Sequence, residues 1–395
     1  MITVEDRYFR FNRTLLLIVG LWPYQKSKLA QFQFTCLFSI LTSSIIFQLA
    51  TFVTSKCTAN FVIKILSVAI FHMGLAIKYN SFSLNANTIK YSMEQLQCIY
   101  DNVKDDAEIA IIERYGNNAR YYTIVLTIFV GVSMPAVMIV PFWRNIFHII
   151  LSVNQSQSHR LHITTEYFVD QERYFYLLLL HTTVAFCIGV VALLATGTML
   201  IAYLQHACGM LRIANYRIEN AMEIHTLHIQ GIILPSENLV YKRMIGAIDI
   251  HRKAMMFSKY LINKFEVSFM FLIAFGVIAL SLNIFRIFQA VTFGYNIEEF
   301  LMLIVVTTIC VLYMFLSNFI GQEIIDHNNR IFAAAYNVCW YRASLQVQKL
   351  ILFLLQRRNK VFGLYIGGLF LASLQSFATL TNTSVSYFTV MCSMQ

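Results

Sequence analysis

Charged residues and prolines are scarce in this chain of 395 residues. Asp, Glu, Lys and Arg make up 13% of it and hydrophobic residues 58%, whereas soluble globular domains carry about 25% charged residues. A soluble fold could not cover so much apolar surface with so few charged side chains. The 4 prolines and 15 glycines exclude collagen-like and proline-rich linker architectures. These deficits indicate a polytopic membrane protein.

Motifs of the common catalytic and metal sites are missing as well. The sequence has no P-loop, zinc-protease, serine-hydrolase or dinucleotide-binding motif in a usable context. No carboxylate lies in the middle of an apolar run, where pumps and ion-coupled transporters usually place one. The eight cysteines form no CxxC pair, so neither a disulfide framework nor a metal site is expected. We therefore expect a protein that is not an enzyme and needs no cofactor.

Seven apolar stretches are long enough to cross a bilayer as helices, which takes about 20 mainly apolar residues each. The sequence therefore predicts an all-α membrane protein, a single domain over residues 1–395 with seven transmembrane helices. Residues 204–264 and 323–360 combine apolar residues at helical spacing with many bases, and they are predicted to extend the helices into a cytoplasmic anchor bundle. The predicted spans are residues 29–55, 61–79, 121–143, 174–203, 267–287, 299–322 and 361–394.

The basic residues set the orientation of these spans. Of the 30 Lys and Arg residues, 24 lie on the side of the membrane that carries the N-terminus. Because cytoplasmic segments are enriched in Lys and Arg, the N-terminus is predicted to be cytoplasmic and the C-terminus extracellular, opposite to a G-protein-coupled receptor. Asn154 begins a glycosylation sequon in a loop that this orientation places outside. Lys64 and Lys78 lie near the two ends of the second span, where they are expected to snorkel.

Two features inside the spans carry open alternatives. His72 and His181 are the titratable groups within spans besides the lysines near span ends. Each is a packed histidine, part of a ligand cavity or a metal ligand. In the last span, Thr379, Thr383, Ser386, Val390 and Met394 follow one another at steps of four, three, four and four, so they share one helical face. Such a stripe suits a pore wall that narrows to a hydrophobic gate, and it equally suits small hydroxyl residues that let helices pack closely.

The C-terminal third resembles the end of an insect odorant receptor. In that family a Tyr-x-x-x-Trp-Tyr segment, a basic turn, a Ser-Leu-x-x-Phe step and a Ser-Tyr-Phe-Thr run precede the C-terminus. His251 and Tyr216-Arg217-Ile218-Glu219 also fit the family pattern. The corresponding residues here are Tyr336, Trp340-Tyr341, Lys349-Leu350, Arg357-Arg358, Gly367-Gly368, Ser373-Leu374, Phe377 and Ser386-Tyr387-Phe388-Thr389.

The resemblance implies a subunit of a tetrameric, ligand-gated, non-selective cation channel with one central pore. The last helix of each subunit would line that pore, and a volatile ligand would bind in the outer half of one subunit. The segment from Gln205 to Lys264 has no room for the long insertion of the family's co-receptor, so the chain resembles an odorant-tuning subunit. Its implied partners are the co-receptor, a volatile small molecule and the lipid of the plasma membrane, in the dendrite of a sensory neuron.

Carrying the family's sites over to this sequence predicts two groups of residues. The pocket positions are matched only by depth in the membrane, and the pore and gate positions by counting from the Ser-Tyr-Phe run. The predicted pocket residues are Val68, Phe71, His72, Leu75, Ser133, Ala136, Val137, Val140, Tyr176, Leu177, His181, Val184, Met302, Val305, Val306 and Ile309, and the predicted pore and gate residues are Thr383, Ser386, Val390, Ser393 and Met394.

Three other functions are compatible with seven spans. A seven-helix receptor signalling through a cytoplasmic partner would require the opposite charge bias and lacks its usual third-helix and seventh-helix motifs here. A gustatory-receptor-type channel would end in a Thr-Tyr run, from which Ser386-Tyr387 departs. A transporter would be expected to show inverted repeats with broken helices, and no such repeat is found in the sequence.

Overall fold

The structure is a computed structural model that describes residues 4–25, 27–151, 165–170, 173–228, 237–294, 297–359 and 362–394. The description of side chains covers the same ranges without residues 136–151, 222–228, 237–238, 293, 298 and 359.

Nearly all described residues are helical, which confirms the predicted all-α class. Beside the helices, the described residues form two short 3₁₀ turns and one two-stranded hairpin of β1 (Tyr365–Ile366) and β2 (Phe370–Leu371). The helices are α1 (Val4–Tyr8), α2 (Arg10–Ile18), α3 (Lys28–Thr54), α4 (Ala59–Leu84), α5 (Ala86–Asp101), α6 (Asp106–Leu151), α7 (Phe175–His228), α8 (Glu237–Phe293), α9 (Ile297–Asn337), α10 (Leu345–Gln356) and α11 (Leu374–Ser393).

Five described helices are long and apolar enough to cross a membrane by length and composition. They are α3, α4 and the segments Phe175–Ala221, Leu239–Thr292 and Glu299–Asn337 of α7, α8 and α9. The predicted third and seventh spans fall on α6 and α11. The number of spans and their orientation remain predictions. We name the two ends of the bundle after that orientation: the inner end carries α1, α2, α5 and α10, and the outer end carries the connection between α3 and α4.

Side-chain caps fix where three of the helices begin. Ser27 Oγ accepts a hydrogen bond from Ala30 N at 3.1 Å at the start of α3, and Thr58 Oγ1 accepts one from Phe61 N at 3.3 Å at the start of α4. Ser373 does the same at the start of α11. Each cap satisfies a backbone N–H that has no partner within the helix, so these boundaries follow from local sequence.

The last helix is shorter than the predicted span 361–394. Residues 362–373 form the hairpin and its flanks, in which Ile366 pairs with Phe370, and α11 begins only at Leu374. Gly367 and Gly368 turn the chain with φ of +63° and +66°, values that side-chain-bearing residues rarely adopt. Hydropathy counted this segment as membrane helix because it carries no charge, whereas the two glycines make it a turn.

The inner end of the bundle has a packed apolar core of its own, and the cytoplasmic position of the predicted anchor segments stays a prediction. α7, α8 and α9 continue through the inner end, and α10 packs against α8 and α9. The N-terminal helices α1 and α2, which hydropathy did not predict, are inserted into this core: Phe9 and Leu16 are fully buried. The Tyr79 hydroxyl of α4 donates to Val19 O at 2.7 Å, so the N-terminal segment is tied to the helix that also supplies predicted pocket residues.

Candidate functional site

An apolar cluster in the outer half of the bundle joins five helices, α4, α6, α7, α8 and α9. Of the predicted pocket residues, Phe71, Leu75 and Ile309 are buried within it, and Met302, Val305 and Val306 pack against it. The structure therefore brings together predicted positions from α4 and α9. We define the outer cluster by its buried residues, which are Ile70, Phe71, Leu75, Met134, Phe186, Val190, Ala279, Leu282, Ile309 and Cys310.

His72 of α4 is buried beside the outer cluster with 3% of its surface exposed. Its Nδ1 lies 2.9 Å from Val68 O, one turn earlier in the helix, and its ring centroid is 6.2 Å from that of Phe186. Because a carbonyl oxygen only accepts, Nδ1 carries the proton in this contact, and Nε2 of the neutral ring is left as an acceptor. No partner for Nε2 is found among the described residues.

The predicted α7 positions do not form this wall. Tyr176 and Leu177 are 61% and 63% exposed, whereas α7 contributes Phe186 and Val190 to the cluster. The match by depth alone sets the predicted wall too close to the start of α7. Depth also does not determine which face of a helix turns inward, so Tyr176 and Leu177 are not retained as pocket residues.

His181 is packed against the α3 side of the bundle. Its Nε2 lies 3.0 Å from Ser43 Oγ and its Nδ1 2.8 Å from the hydroxyl of Tyr167. Burial raises the pKa of Tyr167 to about 12, so that hydroxyl keeps its proton at neutral pH. Both ring nitrogens of His181 are thus occupied, which agrees with the packing interpretation. Val184, nearly one turn further along α7, is half-buried.

The third predicted span is described only in part. Ser133 of α6 is half-buried, and its hydroxyl donates to Val130 O at 3.3 Å. The side chains of Ala136, Val137 and Val140 lie outside the described residues, as does Asn154 with its predicted glycosylation site.

The predicted pore face of α11 is turned away from the rest of the chain. Val390 and Met394 are 54% and 81% exposed, whereas Leu380, on an inward face about 80° around the helix from Val390, is 8% exposed. Ser384, also on the inward face, is fully buried, and its hydroxyl lies 2.9 Å from Leu380 O of its own helix and 3.4 Å from Val277 O of α8. One face of α11 therefore holds the helix against α8, and the other presents the predicted gate residues.

The hydroxyl groups of the outward face form hydrogen bonds with their own helix. Thr383 donates to Thr379 O at 2.8 Å, Ser386 to Asn382 O at 2.9 Å and Ser393 to Val390 O at 2.8 Å. A backbone carbonyl thus accepts a hydrogen bond from each of these hydroxyls. The hydroxyl oxygens keep their lone pairs as free acceptors.

A buried ion-pair network that the sequence analysis missed lies at the outer end of α4, α8 and α9. Arg286 is 9% exposed, and its guanidinium donates to Glu299 Oε1 at 2.5 Å and to Ser67 Oγ at 2.7 Å. Lys64 Nζ lies 3.1 Å from the same carboxylate. Lys64 therefore does not snorkel freely but belongs to this network. Arg286 and Glu299 mark the ends of two adjacent predicted spans, which is the only sequence signal that could have paired them.

A separate cavity of about 160 Å³ lies on the inner side of the outer cluster. We call it the inner cavity. Its wall comes from α6, α7, α8, α9, the hairpin and α11, and is almost entirely apolar. Ile309 is the predicted pocket residue that lines it, together with Lys78, Tyr313 and Asn318. Lys78 is only 1% exposed, because α4 continues to Leu84 instead of ending at the predicted boundary, so Lys78 does not snorkel either.

Comparison with known proteins identifies one family and two solved structures that this chain resembles. A family model described as 7tm Odorant receptor matches residues 58–385 of the chain. The solved structure of the insect olfactory receptor OR5 from Machilis hrabei in complex with eugenol is similar over 99% of each chain, with a TM-score of 0.80 and 15% identity. A second solved structure of the same receptor is similar over 98% of this chain and 97% of the receptor chain, with a TM-score of 0.75 and 13% identity. No curated protein matches the chain.

Proposed function

The chain belongs to the 7tm odorant receptor family, and we propose that it is the odorant-binding subunit of a ligand-gated, non-selective cation channel. In this proposal the chain lies in the plasma membrane of a sensory dendrite and assembles with a co-receptor subunit into a heterotetramer. Ligand binding in the outer half of the helix bundle opens a pore lined by α11.

The observation that carries the channel proposal is the two-sided character of α11. Leu380 and Ser384 hold its inward face against α8, while Ser386, Val390 and Met394 on the other face are exposed in the single chain. In a symmetric assembly around an axis, such a face would line the axis. Val390 and Met394 lie one turn, about 6 Å, apart, so rings of these side chains would form an apolar constriction that excludes water in the closed state.

The ligand proposal rests on the outer cluster and on His72. The wall is apolar, so burial of apolar ligand surface would supply most of the binding free energy. Nε2 of His72 adds one acceptor near this wall, which suits a ligand that donates a single hydrogen bond, such as an alcohol or a phenol. A ligand that binds the open state more tightly than the closed state would shift the equilibrium toward opening.

The test is current recorded from cells that express this chain with a co-receptor, the chain alone, or the co-receptor alone. The proposal expects ligand-evoked cation current that requires the chain together with the co-receptor. Val390→Ser in the same cells should raise current without ligand, because a hydroxyl lets water enter the closed constriction.

The matched control is Leu380→Ser on the inward face of α11, which should lower surface expression without raising the basal current. The channel proposal fails if Val390→Ser reaches the cell surface and changes neither the basal current nor ion permeation. It also fails if ligand responses need a cytoplasmic signalling partner instead of the co-receptor.

A further inference from the structure

Lys78 is a buried amine that lines an apolar cavity, and no anion lies beside it among the described residues. It is 1% exposed, and it lines the inner cavity. No carboxylate and no hydrogen-bond acceptor for its Nζ is found in the part of the chain that the structure describes. Burying an ammonium group without a partner costs free energy. A ligand that supplies the missing acceptor would therefore gain binding free energy from this contact.

Aromatic rings already surround part of the Lys78 ammonium group. Nζ lies 4.8 Å from the ring centroid of Phe269, 5.8 Å from that of Tyr313 and 5.9 Å from that of Phe265. Ring faces attract a cation, so these contacts favour the charged amine over the neutral one. They do not replace an acceptor, because an aromatic face provides no lone pair for a direct N–H···O hydrogen bond.

Three other polar side chains of the inner cavity are already bonded within the protein. Asn318 Nδ2 donates to Met314 O at 2.8 Å, and its Oδ1 accepts from Ser373 N at 3.2 Å. Ser317 donates to Tyr313 O at 2.8 Å and Thr198 to Leu194 O at 2.8 Å. The Tyr313 hydroxyl, which also lines the cavity, has no hydrogen-bond partner among the described residues. Lys78 is therefore the ionisable amine of this wall with unused hydrogen-bonding capacity, beside one free hydroxyl.

The size and position of the inner cavity restrict what it can hold. A volume of about 160 Å³ is close to that of an engineered apolar cavity that binds benzene, about 150 Å³, so the occupant is a small molecule. Lys78 follows His72 by six residues on α4, about 9 Å further toward the inner end. Lys78 thus lies about one and two-thirds turns deeper than the acceptor of His72, although Val190 and Ile309 belong both to the wall of the inner cavity and to the outer cluster.

We propose that the inner cavity is a second ligand site for a small, mainly apolar carboxylic acid, whose carboxylate pairs with Lys78. The acid reaches it either directly from outside as a volatile acid or by partitioning through the bilayer as a short- or medium-chain fatty acid. The assignment does not depend on channel activity, because it concerns binding to the single chain.

The experiment compares octanoate with octanol on the purified full-length chain in detergent, measuring dissociation constants from the ligand dependence of the thermal unfolding midpoint. The two probes have carbon skeletons of the same length and differ in the head group, which is an anionic carboxylate in octanoate and a neutral hydroxyl in octanol. We expect octanoate to bind the wild-type chain more tightly. In Lys78→Met, its affinity should fall by at least about tenfold, since a hydrogen bond to a charged group is lost, while octanol binding should change by less than about twofold.

Two further variants keep the test decisive. Lys78→Arg keeps the charge and should retain the preference for octanoate, whereas Lys90→Met removes an exposed lysine of α5 and should leave both affinities unchanged. If Lys78→Met does not fold, the comparison of octanoate with octanol on the wild-type chain still tests the proposal. The proposal is overturned if octanoate binds no more tightly than octanol to the wild-type chain, or if Lys78→Met binds octanoate as the wild-type chain does.

Native mass spectrometry of the chain purified without added acid distinguishes the two sources. A copurifying fatty acid in the wild-type chain that is lost in Lys78→Met identifies the bilayer as the source. A wild-type chain without copurifying acid that nevertheless binds added octanoate through Lys78 identifies the external medium. Both outcomes support the site, and a copurifying acid that persists in Lys78→Met speaks against it.

Discussion

Replacing Glu299 with Gln tests whether the network at the outer end of the bundle holds α4, α8 and α9 together. Glu299 is the single described carboxylate that faces both Lys64 and Arg286. Its replacement keeps the size of the side chain and removes its charge. Arg286, at 9% exposure, is then left as a buried cation with only Ser67 Oγ and a neutral amide as partners.

The expected cost can be worked out from burial. Removing one partner of a buried ion pair costs about 3–5 kcal/mol. The side chain of Glu299 is 29% exposed and that of Lys64 32%, so water compensates part of the loss and the lower end, about 3 kcal/mol, applies. With about 2.1 cal/mol/K of unfolding entropy per residue, a chain of 395 residues has about 0.8 kcal/mol/K, which predicts a midpoint about 4 °C lower.

The assay is thermal unfolding of the purified chain, with Glu113→Gln as the matched control. Glu113 pairs with Arg7, and both side chains are largely exposed, at 41% and 51%, so that change should cost under about 1 kcal/mol and lower the midpoint by about 1 °C. If Glu299→Gln costs no more than Glu113→Gln, the network does not stabilise the bundle and the reasoning from burial is refuted.

Three further predictions concern the pocket, the hairpin and the orientation. His72→Phe should change the ranking of ligands at unchanged surface expression, with alcohols and phenols losing most; an unchanged ranking would leave His72 as a packing residue. Gly367→Ala should cost about 1–2 kcal/mol in thermal unfolding, because its φ of +63° disfavours side chains and its added Cβ would lie 2.7 Å from Met270 Sδ. Gly131→Ala, where nothing lies within 4 Å of the added atom, should stabilise the helix by up to about 1 kcal/mol, and an equal loss in both variants would exclude strain as the cause. An epitope at the C-terminus should stain intact cells, and staining only after permeabilisation would reverse the predicted orientation and remove α11 as the extracellular end of a pore.

Hydropathy predicted the helical class because a chain with so few charges can satisfy its backbone in a bilayer only within helices or closed barrels. The predicted continuation of the helices beyond the apolar spans also agrees with α7, α8 and α9. The hydropathy prediction was wrong at the start of the last span, where an uncharged segment is a turn and not a membrane helix. Residues 362–373 carry no charge, yet Gly367 and Gly368 turn the chain there, and the backbone preference of glycine outweighs the hydropathy of its neighbours.

For the last helix, the sequence predicts which residues share a face, whereas tertiary packing decides which face turns outward. Periodicity alone set Val390 and Met394 on one face of the last helix, because 3.6 residues per turn is a local property. Which face turns outward depends on α8, against which Leu380 and Ser384 pack, and no local rule contains that information.

Tertiary structure decided which polar groups inside the bundle are paired and which are not. His72 and His181 are alike in sequence context, but only His181 has a partner at each ring nitrogen. Lys64 and Lys78 both lie near the ends of one predicted span, yet Lys64 meets Glu299 and Lys78 faces the inner cavity. The sequence determines where a charge sits along its own helix, but its pairing is set by residues up to 235 positions away, which become neighbours only when the helices pack.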